Sequence, residues 1–139
     1  MAASIQRYAA KGVWDPPGYS QAVKVTGAQT ILYLSGQVAY DDKGGPAHRG
    51  DFKAQARAVF QAIKAQVEAG GGTMDNIVKI NTYLTDIRNR ADLGPIREEF
   101  LGKKTCASTL VGVAALAIDR KSTRLNSSHR PLSRMPSSA

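Results

Sequence analysis

The sequence is poor in cysteine and has no long apolar segment. Its 139 residues include one cysteine, Cys106, so no intramolecular disulfide can form and the fold does not depend on an oxidising compartment. No apolar run approaches the roughly 18 residues needed to cross a bilayer, and residues 1–11 lack the apolar core of a signal peptide. We therefore expect a cytoplasmic protein without a membrane partner.

Motifs for metal binding, nucleotide binding and catalytic triads are also missing from the sequence. We expect no metal and no cofactor, because none of the spacings that hold them is present. A lone cysteine is more often a buried or unreactive thiol than a nucleophile.

Acidic residues are outnumbered, since 19 Lys and Arg stand against 11 Asp and Glu and give a net charge of +8. Residues 1–118 carry +4, and the last 21 residues carry the other +4. The charges of the body are spread out, as on a solvated surface, so the charge pattern makes a nucleic-acid partner unlikely.

The last residues differ from the rest of the chain. We divide the sequence into one domain over 1–117 and a basic tail over 118–139, because the run RKSTRLNSSHRPLSRMPSSA is rich in Ser and Arg and lacks apolar periodicity. This composition is typical of disorder, and it also resembles vector read-through joined to a gene. The alternative is a basic tail that binds RNA.

The body alternates strand and helix patterns. Strands are predicted over 5–8, 22–26, 30–38, 77–84 and 107–116, and helices over 52–69 and 90–101. Asp51 can cap the first helix, Gly70 and its following glycines end it, and Pro95 predicts a kink or a late start in the second. This order predicts an α+β fold with two helices packed on one face of a sheet.

Two short segments, Gly18-Tyr19-Ser20-Gln21-Ala22 and Leu34-Ser35-Gly36-Gln37-Val38, place small or hydroxyl-bearing residues beside apolar runs. Such residues suit the floor of a small-molecule cleft. Together with Gln55, Ala69-Gly70-Gly71 and Lys79-Ile80-Asn81-Thr82-Tyr83-Leu84, in that order, they resemble the RidA/YjgF family of small enamine/imine deaminases. The resemblance covers roughly residues 5–117.

The resemblance implies a chorismate-mutase-like fold with a mixed sheet, and a homotrimer with ligand clefts between adjacent subunits. It also implies hydrolysis of reactive enamine or imine intermediates to carbonyl compounds and ammonia, without a cofactor. Tyr19 and Ser35 match the tyrosine and serine of the family cleft and are the candidate catalytic residues, although each also has a purely structural interpretation. Gly36 is a candidate substrate-binding residue beside Ser35.

The remaining candidate substrate-binding residues depart from the family pattern. Ser108 stands where the deaminating members carry a substrate-binding arginine, Leu110 where many carry a cysteine, and Gly94 where an asparagine is usual. Cys106 therefore does not inherit the role of that cysteine. Lys103 and Lys104 are nearby cations, although solvated surface lysines are the simpler interpretation.

The family's closing strand, with its cleft glutamate, should follow Ala117, where the chain instead enters the tail. We therefore expect an open or poorly paired sheet edge, with tail residues 122–125 as the poor partner, and lower stability than in a full-length relative. The leading hypothesis is an enamine/imine hydrolase. The alternative is a non-catalytic trimer that binds small ligands, and RNA binding or cleavage ranks last.

Overall fold

The structure, a computed structural model, describes residues 3–103 and 106–117 and the backbone of Ser127–Leu132. These ranges contain five strands and two α-helices. Their order is the predicted one, except that residues 30–38 do not form a strand and that the strand Ser127–Leu132 was not predicted. The elements are β1 (Ser4–Tyr8), β2 (Ala22–Thr26), α1 (Phe52–Ala69), β3 (Lys79–Leu84), α2 (Arg90–Leu101), β4 (Ala107–Gly112) and β5 (Ser127–Leu132). Short 3₁₀ turns cover Met74–Asn76 and Ile87–Asn89.

The strands form a two-stranded ribbon and a three-stranded mixed sheet. β1 and β2 pair antiparallel, with Ile5 opposite Val25. In the larger sheet β3 is central, parallel to β4 and antiparallel to β5. The parallel pair is possible because α2 forms the crossover between β3 and β4. The predicted mixed sheet is confirmed.

Helix α1 begins and ends close to where the sequence predicts. The Asp51 carboxylate accepts a hydrogen bond from the backbone N–H of Ala54 at 3.1 Å, so it caps the helix. Gly70 is the C-cap residue, and the left-handed conformation falls one residue later, at Gly71, whose φ is +89°. The apolar side chains of α1 recur at helical spacing and form a stripe along one face. All six are buried: Phe52, Ala56, Val59, Phe60, Ile63 and Val67.

The core lies where α1, α2 and β3 meet. The Phe60 ring of α1 stacks on the Phe100 ring of α2, with centroids 5.3 Å apart. Ile80 and Leu84 of β3 are fully buried in the same cluster. Each large side chain removed from water in this way contributes about 1.5–3 kcal/mol. Both helices thus share one apolar layer with the sheet, as predicted. Helix α2 spans its predicted range and continues through Pro95.

One predicted strand is wrong, and two others are shorter than predicted. The strand predicted over 77–84 begins at Lys79. Residues 30–38 contain only isolated bridge positions, at Tyr33 and Gln37, instead of a strand. The prediction rested on the content of Ile, Leu, Tyr and Val. Leu34 is buried while Tyr33 is exposed, so an irregular segment places these side chains without a hydrogen-bonded ladder. The last predicted strand, 107–116, ends at Gly112.

Part of the tail has a regular structure. The backbone of Ser127–Leu132 forms β5 and pairs with β3, with Ser127 opposite Leu84. The alternative of an open sheet edge is therefore wrong for these six residues, whereas the expectation that the tail pairs weakly stays a prediction. Residues 122–125, the pairing partner that we expected, lie outside the described residues. The domain boundary after Ala117 stays a prediction.

Among the residues that the structure describes, no helix is both long enough and apolar enough to span a membrane.

Candidate functional site

The loop that carries Tyr19 is attached to the beginning of β4. The backbone N–H of Ser20 donates to the carbonyl oxygen of Cys106 at 2.9 Å, and Ser20 forms a parallel bridge with Ala107. Pro16, at the start of the same loop, is fully buried and anchors it. Tyr19 is half-buried. The structure thus places one predicted cleft residue on a loop that is fixed to the strand carrying another, Ser108.

Ser108 has an arginine as its partner. Arg97, on α2, donates from Nη1 to Ser108 Oγ at 3.2 Å and from Nη2 to Cys106 Sγ at 3.5 Å. Cys106 is fully buried, and Arg97 and Ser108 are half-buried. A cation therefore lies beside the position where the family resemblance calls for one, although it comes from a helix instead of the strand.

The two acidic residues that follow Arg97 are engaged elsewhere. Glu98 lies 4.0 Å from the Lys103 ammonium, and Glu99 lies 3.2 Å from the Arg57 guanidinium of α1. Within the described ranges, no carboxylate lies within 4.0 Å of Arg97. Lys103, the other cation considered from the sequence, is 83% exposed, and Lys104 lies outside the described residues. Arg97 is thus a half-buried cation whose described partners are neutral.

A buried polar group next to the start of β4 has no described hydrogen-bond partner. The Ser20 residue is 1% exposed, and its Oγ has no hydrogen-bond partner among the described residues. Leaving a buried hydroxyl unpaired costs about 1–3 kcal/mol. Such groups call for a specific explanation, and a ligand or an ordered water is one.

Ser35 and Gly36 lie in a different place within this protomer. Both are exposed and line an open depression of about 310 Å³ together with Tyr33 and Leu34. The Gln37 side chain donates to the Ser35 carbonyl oxygen at 3.1 Å. Among the described residues, no hydrogen bond connects Ser35 or Gly36 with Tyr19 or Ser108. One protomer alone therefore does not assemble all the predicted site residues through direct contacts.

Leu110 has a structural explanation, whereas nothing around Gly94 requires a glycine. Leu110 is half-buried, packs against the apolar core and stands opposite Thr82 in the sheet. Gly94 is exposed on α2, and a Cβ added there would meet nothing within 4 Å. Gly94 precedes Arg97 by three residues and so lies on the same side of the helix.

The sequence reasoning did not identify Arg97. The sequence did contain a signal for Arg97. Arg97 follows the buried Leu93 by four residues and therefore borders the buried face of α2. An arginine in that position keeps its stem on apolar surface and its guanidinium at the edge. Where the guanidinium arrives depends on how α2 docks against β4, and no local pattern gives that docking.

The structure also contains a cavity of about 270 Å³, lined by 15 residues none of which is charged. It lies between the β1–β2 ribbon, residues 28–34 and the turn after α1. Its apolar lining includes Ile5, Val25, Leu32, Leu34, Val67 and Ile77. Without a charged group, this cavity does not suit an anionic metabolite, so it is a separate feature from the Tyr19–Ser108 region.

The ion pair of Asp86 and Arg88 lies outside the Tyr19–Ser108 region. Hydrogen bonds from Arg88 hold the pKa of the exposed Asp86 carboxyl below its ordinary value, and this pair stabilises the turn before α2. In the part of the chain that the structure describes, no group of three or more His, Cys, Asp or Glu side chains is suited to hold a metal ion.

Comparison with known proteins gives matches over most of the chain. The family described as "Endoribonuclease L-PSP" matches residues 15–122. A RutC family protein of Pyrococcus horikoshii is 36% identical over 101 residues, which are 73% of this chain and 78% of the relative. A 2-iminobutanoate/2-iminopropanoate deaminase of Dermatophagoides farinae is 33% identical over 98 residues, 70% of this chain and 74% of the relative.

A solved structure is similar over nearly the whole chain. The crystal structure of RidA from the Antarctic bacterium Psychrobacter sp. PAMC 21119 superposes with a TM-score of 0.63 and 35% sequence identity. The superposition covers 91% of each chain. The fold and the family resemblance are therefore confirmed by independent comparisons.

Proposed function

The chain belongs to the RidA/YjgF (endoribonuclease L-PSP) family, and from this membership we propose that it binds small metabolites in clefts between the subunits of a homotrimer and hydrolyses reactive enamines or imines there. The products are carbonyl compounds and ammonia. The proposal needs no cofactor, since water is the only other reactant. A cytoplasmic location stays a prediction from the sequence.

The attachment of the Tyr19 loop to the beginning of β4 carries this proposal. The Ser20–Cys106 hydrogen bond of 2.9 Å holds Tyr19 close in the fold to Ser108, which stands at a substrate-binding position of the family. Two segments that are 86 residues apart are thereby joined by one backbone contact. This is the arrangement that a cleft built from both segments requires.

The reaction asks little of the protein. Water adds to the carbon of the C=N bond, the resulting carbinolamine collapses to C=O, and nitrogen leaves as ammonia after taking up protons. Tyr19 is proposed to donate a hydrogen bond to the nitrogen or orient the water, which is the kind of assistance that typically contributes 10²–10⁴-fold in rate. Ser35 is proposed to orient water or substrate as the second catalytic residue.

The separation of Ser35 and Gly36 from Tyr19 within one protomer supports a cleft shared between subunits. Both residues are exposed, so they are available to a neighbouring copy. Gly94 is exposed as well, and the absence of a side chain there leaves room for a neighbouring subunit or a substrate. Leu110 is proposed to border the substrate from the sheet. These roles stay predictions.

An imine-release assay tests the proposal. We generate 2-iminobutanoate in situ with a threonine dehydratase and trap it with semicarbazide, so that faster hydrolysis lowers the yield of trapped imine. We expect the trimer to accelerate release of 2-oxobutanoate, and Tyr19→Phe to slow it at least tenfold. Tyr8→Phe, a change to an exposed tyrosine on β1, is the matched control. Release at the rate of buffer alone would remove the hydrolase proposal.

The second candidate is a non-catalytic trimer that binds the same small molecules. The observation in its favour is that Ser108 replaces the arginine expected on β4. A thermal-shift panel of keto acids, amino acids and apolar metabolites distinguishes the two candidates, because this one predicts binding without turnover. RNA binding or cleavage ranks last, because the sequence offers no pair of histidines spaced for acid–base cleavage. His48 is exposed in a loop, and His129 belongs to the tail. This function would gain support if RNA affinity survived removal of residues 118–139.

A further inference from the structure

We propose that Arg97, on α2, is the anion-binding residue of this cleft and holds the carboxylate of a small 2-imino or 2-oxo acid. The inference rests on the proposed function, because it takes the substrate class from that proposal and assigns a new anion-binding residue to the same site. It differs from what the family resemblance implies, since the cation approaches from the helix and the β4 position is occupied by Ser108.

The position of the guanidinium supports this role. Arg97 Nη1 lies 3.2 Å from Ser108 Oγ, so the charged group occupies the neighbourhood of the position that the missing strand arginine would take. Its Nη2 lies 3.5 Å from Cys106 Sγ, and Cys106 in turn accepts the backbone hydrogen bond of Ser20. The cation is thereby connected through two residues to the Tyr19 loop.

The charge balance supports it as well. A guanidinium has five N–H donors, and the described residues accept from two of them, through a hydroxyl and a thiol. Glu98 and Glu99, the adjacent acids, pair with Lys103 and Arg57. A half-buried cation with neutral partners gains most from an incoming anion, and a carboxylate can take two parallel hydrogen bonds from arginine.

The Ser108 hydroxyl adds a hydrogen-bond donor beside the cation. It can rotate to donate to a carboxylate, because its oxygen already accepts from Arg97 and a hydroxyl both donates and accepts. One guanidinium and one hydroxyl together suit a carboxylate better than a cationic or an uncharged group.

The test measures binding of 2-oxobutanoate by NMR titration of the full-length chain, with 2-butanone as the analogue that lacks the carboxylate. We expect Arg97→Met to weaken 2-oxobutanoate binding about ten- to hundredfold, the loss of one charge-assisted hydrogen-bonding group, and to leave 2-butanone binding unchanged. Arg97→Lys keeps the charge but loses the two-pronged geometry, so it should fall between. Arg49→Met, which removes an exposed arginine from the loop before α1, is the matched control.

A charge-relocation variant sharpens the test. Arg97→Met combined with Ser108→Arg moves the cation from α2 to β4 and should restore 2-oxobutanoate binding to within about threefold of the unmodified chain. Circular dichroism and thermal midpoints check that each variant folds. If Arg97→Met does not fold, Arg97→Gln keeps a hydrogen-bond donor for Ser108 and carries the same expectation.

The outcomes separate this inference from the proposed function. Arg97-dependent binding of 2-oxobutanoate without imine hydrolysis supports Arg97 as the anion site and removes the hydrolase. Imine hydrolysis with an unchanged KM and unchanged 2-oxobutanoate affinity in Arg97→Met retains the hydrolase and overturns the role of Arg97. Equal weakening of 2-oxobutanoate and 2-butanone also overturns it, because the effect then does not depend on the carboxylate.

Discussion

At the scale of single residues, the candidate site depends on groups whose hydrogen-bonding capacity is incompletely used. Arg97 has neutral partners within the described ranges, and the buried Ser20 hydroxyl has none there. Polar groups in the core are otherwise expected to be paired. Among the described residues, Gln55 Oε1 on α1 is the other buried side-chain atom without a partner, so the β4 region stands out because it combines an unpaired hydroxyl with a half-buried cation.

The Ser20 hydroxyl gives a stability prediction. We expect Ser20→Ala to leave the free energy of unfolding unchanged or raise it by up to about 1 kcal/mol, because the change removes a buried polar group that has no partner. Urea denaturation measures it. The matched change Ser35→Ala, at an exposed position, should stay within about 0.5 kcal/mol. A loss of more than about 1 kcal/mol in Ser20→Ala would show that the hydroxyl has a stabilising partner.

The sequence predicted some site residues and not others, for physical reasons. Tyr19 lies in a segment that matches the family pattern, and Ser108 was identified because it departs from that pattern at an aligned position. The structure joins their surroundings through Ser20 and Cys106. Arg97 was missed because its role depends on the docking of a helix against a strand. The positions of Ser35 and Gly36 relative to Tyr19 depend on subunit assembly, which a single chain does not determine.

At the scale of elements, prediction succeeded where one local signal was sufficient. The Asp51 cap and the apolar stripe fixed α1, and β2 spans its predicted residues. The strand predicted over 30–38 was wrong because a high content of Ile, Leu, Tyr and Val favours a strand, whereas a strand also requires a paired neighbour. β5 was missed for the converse reason, since its backbone pairs with β3 although its sequence has no strand-like pattern.

β5 leads to a prediction about the edge of the larger sheet. Its sequence, Ser-Ser-His-Arg-Pro-Leu, contains no β-branched or aromatic residue, and such residues favour strands most. We expect a chimaera carrying the C-terminal segment of the P. horikoshii relative in place of residues 118–139 to unfold at a higher urea concentration. A chimaera with the same urea midpoint as the original chain would contradict the idea that this edge strand is weak.

At the scale of the whole molecule, the proposed cleft requires more than one subunit. The Tyr19 loop, β4 and Arg97 form one side of the proposed cleft, and the exposed Ser35–Gly36 segment is available to complete it on a neighbouring copy. The uncharged cavity beside the β1–β2 ribbon lacks the cation that the proposed substrate needs. The cleft between subunits is therefore where the account places binding and hydrolysis.

The most direct test is a crystal structure of the full chain grown with 2-oxobutanoate. We expect a trimer with the keto acid between subunits, its carboxylate within hydrogen-bond distance of Arg97 and its carbonyl facing Tyr19. A keto acid bound in the uncharged cavity, or an Arg97 guanidinium paired with a protein carboxylate in the assembled protein, would contradict the proposed cleft and the role of Arg97.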